Sequence, residues 1–244
     1  MVYIGTSGYA YPHWTGVFYP PDLPKEGQLP FYSRHFPTVE VNYTFYHFPS
    51  ERTVERWAEA TPEGFVFSVK AHRTFTHRRK LGASEESLRA FLGRLFPLGD
   101  KLGPVLFQLP PKLGPDLGKL SAFLEKLPAG LRYAMEFRDE RWLVEEALSL
   151  LREKGIAYCI VNAPGLRTLP EVTASFAYVR LHGSESWYSH RYTEEELRTW
   201  AEIVRSLDEK VDETFVYFNN DYKGYAVENA LTLMALLKGA VCGG

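Results

Sequence analysis

Eight short apolar runs of this chain end in polar or charged residues, and stretches with helical periodicity separate them. The runs cover 2–6, 38–42, 65–70, 104–109, 132–137, 156–162, 176–182 and 214–219 and are rich in Val, Ile, Phe and Tyr, as β-strands are. Strands that alternate with helices favour a parallel sheet, and eight of them favour a closed (β/α)8 TIM barrel over an open doubly wound sheet. Buried parallel strands are mostly apolar, so polar groups gathered at their C-terminal ends indicate an active site there.

Signals for helix starts support this alternation. Asp116 precedes a run that repeats leucine on one face, and Thr193 with Glu196 forms a capping box before a second amphipathic run. Ser50 and Asp139 are two further candidates for helix N-caps. The chain is therefore predicted to have an α/β fold in which helices connect successive strands.

The length and layout of the chain fit one domain. At 244 residues with 45% hydrophobic content it can bury one large core, so we expect a single TIM-barrel domain over 1–244. Between 162 and 176 there is little room for a helix, and the sequence Asn-Ala-Pro-Gly at 162–165 is typical of a turn. The sixth crossover should therefore be shortened or irregular.

Composition limits the compartment and the partners. A net charge of −2 gives no overall attraction to nucleic acid or anionic lipid, so either partner would need a local patch. Cys159 and Cys242 are too few for a disulfide framework or a cysteine-rich zinc site, which favours a reducing compartment. No apolar run approaches the ~20 residues of a membrane span, and the N-terminus lacks the features of a signal peptide. We expect a cytoplasmic protein without a membrane partner, and the sequence predicts no oligomeric state.

Ordered motifs give a resemblance that covers nearly the whole chain. They are GTSGYAYPHWTGVFYP at 5–20, FPTVEVNYTFYHFP at 36–49, FVFSVKAHRTFTH at 65–77, GPVLFQLPP at 103–111, AMEFRDERW at 134–142, YVRLHG at 178–183 and FNNDYKGYAVENA at 218–230. In this order they resemble the YecE-like family of bacterial and archaeal proteins, also called domain of unknown function seventy-two. The resemblance implies a TIM barrel similar to those of the xylose isomerase and endonuclease IV group, and it implies no settled activity.

Pairs of polar residues two positions apart place functional groups on one side of their strands. The pairs are Glu40 and Asn42, Glu136 and Arg138, and Arg180 and His182. If that direction is inward, carboxylates, guanidinium groups and an imidazole meet in the barrel mouth. We favour a ligand site, because active sites of this fold lie there. The alternative is a network of ion pairs that fills the barrel, since buried charges must be paired whatever they do.

Lys70 ends the third apolar run, where its ammonium group can enter the mouth. There it can bind an anion or act as a base with a lowered pKa; the alternative is a strand-end lysine that reaches solvent. The interval after it has no acidic residue until 85 and is rich in basic ones. They are His72, Arg73, His77, Arg78, Arg79 and Lys80. This density predicts phosphate contact, for which we favour His72 and Arg73, because 78–80 fits a solvated loop face equally well.

Asn219, Asn220 and Asp221 follow the eighth run, and Gly224 comes just after them. TIM barrels often bind phosphate at this place through backbone N–H groups at the start of a helix. We therefore include the three residues among the candidates for substrate binding. The alternative is an ordinary turn in which Asp221 caps the last helix.

Four more candidates for substrate binding come from other strand ends and loops. Ser7 ends the first apolar run, and Gln108 is expected to face the mouth at the end of the fourth. Tyr9 and Trp14 belong to an aromatic loop after the first run. They can stack on bases or sugars, and packing beneath the loop is an equal alternative.

A divalent metal would need several carboxylate and imidazole ligands from the mouth. The candidates are Glu40, Glu136, His182 and Asp221. Their spacing is not that of a known metal motif, and Lys and Arg side chains at the mouth already balance the carboxylate charge. The sequence therefore does not favour a metal, and it identifies no cofactor.

The leading hypothesis is an enzyme of the hydrolase or isomerase type that acts on a phosphate-bearing small molecule or a nucleic acid at the C-terminal barrel mouth. Arg138, Arg180 and Lys70 would hold negative charge, Glu136 and His182 would exchange protons, and Glu40 with Asn42 would orient them. The rival hypothesis is a noncatalytic nucleic-acid-binding protein that uses the basic 70–80 loop and the mouth aromatics. A third possibility is a cluster that only stabilises the barrel.

Overall fold

The computed structural model describes residues 1–239, so Cys242 lies outside the described residues. Within them, eight parallel strands form one sheet in the order β1-β8-β7-β6-β5-β4-β3-β2. The strands are β1 Val2–Thr6, β2 Thr38–Val41, β3 Val66–Lys70, β4 Leu102–Gln108, β5 Tyr133–Glu136, β6 Ala157–Asn162, β7 Phe176–Leu181 and β8 Glu213–Phe218. The sheet wraps into a nearly closed (β/α)8 TIM barrel, which confirms the predicted fold.

Helices follow most strands and form the outer layer. They are α1 Lys25–Tyr32, α2 Tyr43–Tyr46, α3 Glu51–Glu59, α4 Glu85–Gly93, α5 Leu117–Leu124, α6 Glu145–Glu153, α7 Glu194–Asp208 and α8 Tyr225–Gly239. Ser50, Asp116 and Thr193 cap α3, α5 and α7 as predicted, and the capping box with Glu196 is present. Asp139 caps the short 3-10 turn Glu140–Trp142 rather than an α-helix. Among residues 1–239, no helix combines the length and the apolar character needed to span a bilayer.

The sixth crossover, 163–175, contains no helix. Its end is fixed to β6 by Thr173, whose hydroxyl accepts a hydrogen bond from the backbone N–H of Tyr158 at 2.7 Å and donates to the Ile156 carbonyl at 2.6 Å. These two bonds satisfy backbone groups that a regular ladder would otherwise pair. The prediction of a short, irregular sixth crossover is confirmed.

A tyrosine hydroxyl helps to close the barrel between β1 and β2. The two strands join directly only near the mouth, where the Gly8 N–H donates to the Glu40 carbonyl at 2.7 Å. Farther down, the buried Tyr32 hydroxyl accepts from the Thr6 N–H at 2.8 Å and donates to the Thr38 carbonyl at 3.1 Å. The side chain thus replaces a missing rung of the ladder.

Alternation along the strands divides the core into two parts. On β7, Val179 and Leu181 pack in the layer between the sheet and the helices, whereas Tyr178 belongs to a separate cluster inside the barrel. The interior becomes polar toward the mouth, where the Tyr217 hydroxyl bonds to the hydroxyls of Thr38 and Ser68 at 2.7 Å each. Inward positions near the C-terminal strand ends are therefore the ones that carry the candidate site.

Candidate functional site at the barrel mouth

A buried ion network surrounds Arg180 on β7. The guanidinium has no exposed surface and donates to Glu136 Oε2 at 2.5 Å, to Glu40 Oε1 at 2.7 Å and to Ser7 Oγ at 3.1 Å. Glu40 and Glu136 are also fully buried. Two carboxylates on one guanidinium compensate the cost of removing these charges from water. The residues predicted to point inward do meet at the mouth.

Glu40 is held by hydroxyl groups as well as by Arg180. The Tyr178 hydroxyl donates to Glu40 Oε2 at 2.7 Å, and the Ser7 hydroxyl donates to Glu40 Oε1. Asn42 joins this side of the network because its Nδ2 donates to Ser7 Oγ at 2.8 Å. Both carboxylate oxygens of Glu40 are thus engaged, which suits a group that positions Arg180.

Glu136 is locked in its ionised form. Arg138 Nε donates to one of its oxygens, and Arg180 donates to the other. Burial would raise the pKa of Glu136, but the charges of the two arginines outweigh this effect and hold the pKa well below its usual range. At neutral pH this carboxylate therefore has no proton to give and no free oxygen to receive one.

His182 is held as a neutral imidazole. Arg138 Nη2 donates to His182 Nε2 at 3.0 Å, and the side-chain amide of Asn219 lies 3.0 Å from Nδ1. A guanidinium can only donate, so Nε2 accepts, Nδ1 carries the hydrogen, and the Asn219 amide presents its oxygen to the ring. Burial, together with the charges of Arg180 and Arg138, keeps the pKa of His182 well below its usual value. His182 and Asn219 are thus members of the network.

Lys70 contributes a cation that has no hydrogen-bond partner among the described residues. Its Nζ lies 4.3 Å from the ring centroid of Phe45. Burial, followed by the positive charge of Arg180, lowers the pKa of Lys70 to about 7. A substantial fraction of the amine is therefore neutral at physiological pH, unlike that of an ordinary lysine.

A π-helix, Thr74–Arg78, follows β3 and brings His77 to the mouth. The imidazole packs edge-on against Phe45, the ring that Lys70 also contacts, with centroids 5.0 Å apart. Burial and the charge of Lys70 lower the pKa of His77. π-helical turns occur frequently at functional sites. The sequence gives no signal for this turn, so His77 is not among the residues favoured there from sequence.

Three of the sequence-predicted residues do not join the network. His72 Nε2 lies 3.3 Å from the Tyr46 carbonyl, and its Nδ1 accepts from the Thr74 N–H at 3.3 Å, so this ring supports the loop after β2. The Arg73 guanidinium lies 5.5 Å from the Tyr46 ring centroid, outside the network. The Gln108 amide donates to the carbonyl of the next residue at 3.0 Å.

Of the three candidates after β8, Asn219 contacts the ion network, whereas Asn220 and Asp221 make contacts that hold loops in place. Asn220 Nδ2 donates to Asn229 Oδ1 at 2.9 Å and thereby joins the turn to α8. The Asp221 carbonyl accepts from Trp14 Nε1 at 3.1 Å and lies 2.7 Å from His13 Nε2. Trp14 itself has no exposed surface. Asp221 and Trp14 therefore hold the first and last loops together, and Asn220 holds the last loop to α8. The Asp221 side chain makes no cap hydrogen bond, unlike the turn alternative in which it caps the last helix.

A cavity of about 490 Å³ lies beside the network, between the loops after β1 and β2 and helix α3. Its walls include Tyr9, Tyr11, Arg56 and Trp57, together with Asn42 of the network. Tyr9 is thus placed on a surface that a ligand can reach, in contrast to Trp14.

Residues 1–239 contain no group of three or more His, Cys, Asp and Glu side chains arranged to hold a metal ion. The oxygens of Glu40 and Glu136 accept from arginine, tyrosine and serine donors, and His182 Nε2 accepts from Arg138. Asp221 lies in the loop contact with His13. The four candidate ligands therefore do not share a centre.

The sequence profile described as "Protein of unknown function DUF72" matches residues 3–242. The chain belongs to the DUF72 family. One relative is the UPF0759 protein YunF of Bacillus subtilis, which is 32% identical in an alignment of 272 positions, gaps included. The alignment covers 97% of this chain and 95% of the relative. Another is the UPF0759 protein YecE of Escherichia coli K12, 32% identical over 67% of this chain and 60% of its own length. The resemblance predicted from the motifs is confirmed.

Solved DUF72 structures have the same architecture. A DUF72 family protein from Thermotoga maritima superposes with a TM-score of 0.89 at 35% identity, covering 98% of this chain and 99% of its own. One from Enterococcus faecalis gives a TM-score of 0.86 at 25% identity over 98% of this chain and 96% of its own. These similarities establish the family and its barrel, and they name no substrate.

Proposed function

We propose that this DUF72 protein is an enzyme that binds a phosphate-bearing small molecule or a nucleic-acid substrate at the barrel mouth and transfers a proton there through Lys70. The observation that carries the proposal is the Lys70 amine, which reaches the mouth without an acceptor among residues 1–239. Its neighbours Arg180, Glu136 and Glu40 form ion pairs with one another. Hydrolysis and isomerisation, both of which need a proton transferred, are the reaction classes that we would test.

The charge balance of the mouth supports binding of an anion. Arg138, Arg180 and protonated Lys70 face Glu40 and Glu136, which leaves an excess of one positive charge by this count. Charge-assisted hydrogen bonds from guanidinium groups are strong ligands for phosphate. Arg138 is the arginine nearest to solvent in this set, since it keeps 8% of its surface exposed and Arg180 keeps none.

The hydrogen bonds of the network change the roles expected from sequence. Glu136 and His182 are each held in one protonation state and each engaged by Arg138, so we assign them to positioning the two arginines. Proton transfer then falls to Lys70, and His77 lies against the same aromatic ring. This assignment places the titrating groups at the open side of the network.

Thermal shift with a ligand panel tests the anion site. The panel contains inorganic phosphate, sugar phosphates, nucleotides and short oligonucleotides, because a ligand of the folded state raises Tm with the logarithm of its concentration. We expect Arg138→Gln to abolish the shift and Arg198→Gln, an exposed arginine on α7, to retain it. A panel in which no phosphate compound raises Tm would reject the proposal.

A second candidate function is nucleic-acid binding without catalysis, which is favoured by exposed basic and aromatic side chains near the mouth. Arg78, Arg79 and Lys80 are exposed, and the exposed ring of Tyr46 lies beside Arg73. Such a surface predicts affinity that falls steeply with salt. Reversing the charges at 78–80 should then abolish oligonucleotide binding, while Lys70→Met leaves it intact. If Lys70→Met abolished oligonucleotide binding and the charge reversal at 78–80 did not, the barrel mouth would instead be the binding site.

The state of Cys159 bears on the compartment. Its thiol is buried 3.9 Å from a carboxylate oxygen of Glu136 and is free. We propose a cytoplasmic location, where thiols stay reduced. Fractionation of native cells that recovered the protein outside the cytoplasm would contradict this.

A further inference from the structure

Two lysines of this chain, both partly buried, are held in opposite ways. Lys101 Nζ donates to the carbonyls of Ala58 and Thr61 at 2.6 and 2.7 Å and lies 3.2 Å from the Thr61 hydroxyl. Lys70 Nζ lies over the ring of Phe45 and has no such acceptor among residues 1–239. Burying an ammonium group without acceptors favours the neutral amine. The surroundings of Lys70 therefore suit an amine, and those of Lys101 suit an ammonium ion.

Burial has the largest effect on the protonation of Lys70, and the charged groups around it act in both directions. Arg180 on β7 and Arg138 after β5 oppose its protonation, while Glu136 and Glu40 favour it. The charge of Lys70 acts on two histidines, His77 of the π-helix and His182 after β7, and lowers the pKa of each. With a pKa of about 7, half of the Lys70 amine is neutral at pH 7. An ordinary lysine has roughly one neutral amine in 2,500 at that pH.

We propose that Lys70 forms a Schiff base with the carbonyl carbon of a phosphate-bearing aldehyde or ketone at the barrel mouth. This inference rests on the anion site of the proposed function, names its substrate class, and makes Lys70 the nucleophile while His77 transfers the protons. Lysines activated by desolvation or by a cationic neighbour are the ones that form such adducts. The guanidinium of Arg138, which keeps some exposed surface, retains the phosphate, and neutral Lys70 supplies the nucleophile.

The step balances without a further reactant. Lys70 Nζ attacks the carbonyl carbon, so a C–N bond forms and the carbonyl π electrons move to oxygen. The two amine hydrogens pass to that oxygen, the C–O bond breaks, and water leaves a neutral C=N bond. His77 lies against the ring of Phe45 that Lys70 also contacts and is the group placed to relay these protons. Its Nδ1 lies 2.9 Å from the Thr76 hydroxyl, so Nε2 is the nitrogen that accepts the proton and returns it to the oxygen.

Reductive trapping tests the proposal on the wild-type chain. The protein is incubated with glyceraldehyde 3-phosphate and sodium cyanoborohydride, and peptide mass mapping locates the reduced adduct. We expect occupancy at Lys70 at least tenfold above that at the exposed Lys112 and Lys154. The rate at Lys70 should rise through pH 7, and Lys70→Met should remove the dominant adduct while the exposed sites keep theirs.

Equal labelling of all lysines, or a dominant adduct that survives Lys70→Met, would overturn the proposal. Equally fast labelling by unphosphorylated glyceraldehyde would overturn the phosphate requirement. Glycerol 3-phosphate, which has no carbonyl group, distinguishes failure of the anion site from failure of the Schiff-base proposal. If it raises Tm and Lys70 is not trapped, the anion site stands and the Schiff base is rejected. If it has no effect and trapping also fails, both proposals are rejected. The map of the wild-type protein does not depend on the folding of any variant.

Discussion

Replacing Lys70 with methionine should make the protein more stable at neutral pH. Methionine has a similar length, carries no charge and packs favourably on an aromatic ring such as Phe45. In the wild type, the folded-state pKa of Lys70 is about 7, below its ordinary value of 10.5. The unfolded chain therefore binds more protons between these values, so the lysine destabilises the folded state fully below pH 7, and the penalty fades as the pH rises toward 10.5.

The size of this effect follows from the pKa difference. A shift from 10.5 to about 7 corresponds to roughly 5 kcal/mol at 1.36 kcal/mol per pKa unit. Lys70 is partly exposed at the mouth, so solvent screens its charge, and we take about 2 kcal/mol as the penalty that methionine removes. For a domain of this size 1 kcal/mol shifts Tm by about 2–4 °C, so we expect a rise of about 4–8 °C.

Thermal unfolding followed by circular dichroism between pH 6 and pH 9.5 checks this expectation. The Tm gap between Lys70→Met and wild type should be largest at pH 6 and should narrow as the pH rises. Lys101→Met is the matched control, and it should lower Tm because the carbonyls of Ala58 and Thr61 lose their donor. A lower Tm for Lys70→Met, or a gap that does not change with pH, would refute the reasoning.

Three further outcomes test the network and the closure of the barrel. Glu136→Gln leaves two buried arginines short of negative charge and should cost about 3–5 kcal/mol, seen as a large fall in Tm; an unchanged Tm contradicts the ion network. Nitrogen NMR should find His182 neutral, with its hydrogen on Nδ1, at pH values just below the ordinary histidine pKa of ~6.5. Its depressed pKa means that stability is lost as the pH falls below the unfolded value of ~6.5, and a protonated ring at pH 6 would contradict this. Tyr32→Phe leaves backbone groups of β1 and β2 unpaired and should cost about 1–3 kcal/mol in urea unfolding, whereas the exposed Tyr43→Phe should cost little.

The barrel and the members of the ion network follow from local rules that a sequence displays. Side chains alternate along a strand, so the two-residue spacing alone predicts that Glu136 with Arg138, and Arg180 with His182, share a side. The predicted fold then determines where these side chains meet, because the C-terminal ends of all strands of a closed parallel barrel lie around one mouth. The predicted and observed positions of these residues agree because strand periodicity depends only on nearby residues in the sequence.

Loop residues could not be assigned in the same way because their roles depend on distant contacts. In the sequence, Trp14 fits ligand stacking and packing beneath the loop equally well; in the structure it is buried and donates to the Asp221 carbonyl more than 200 positions away. His72 and His77 are equivalent candidates by composition, and only the π-helical turn brings His77 to the ring beside Lys70. Protonation states escape prediction for the same reason, since Arg138 fixes that of His182 across two strands.

The contrast within the mouth argues against a cluster that serves stability alone. Both carboxylate oxygens of Glu40 and of Glu136 have donors, as expected of buried ions that support a fold. A lysine of the same purpose would have acceptors, as Lys101 has elsewhere in this chain. Lys70 instead is partly buried without an acceptor among residues 1–239, and burial disfavours its charged form at a cost in stability. Proteins retain unfavourable arrangements of this kind where they serve function. The paired carboxylates hold the arginines in place, and Lys70, which has no acceptor among residues 1–239, is the group to which we assign the reaction in our proposal.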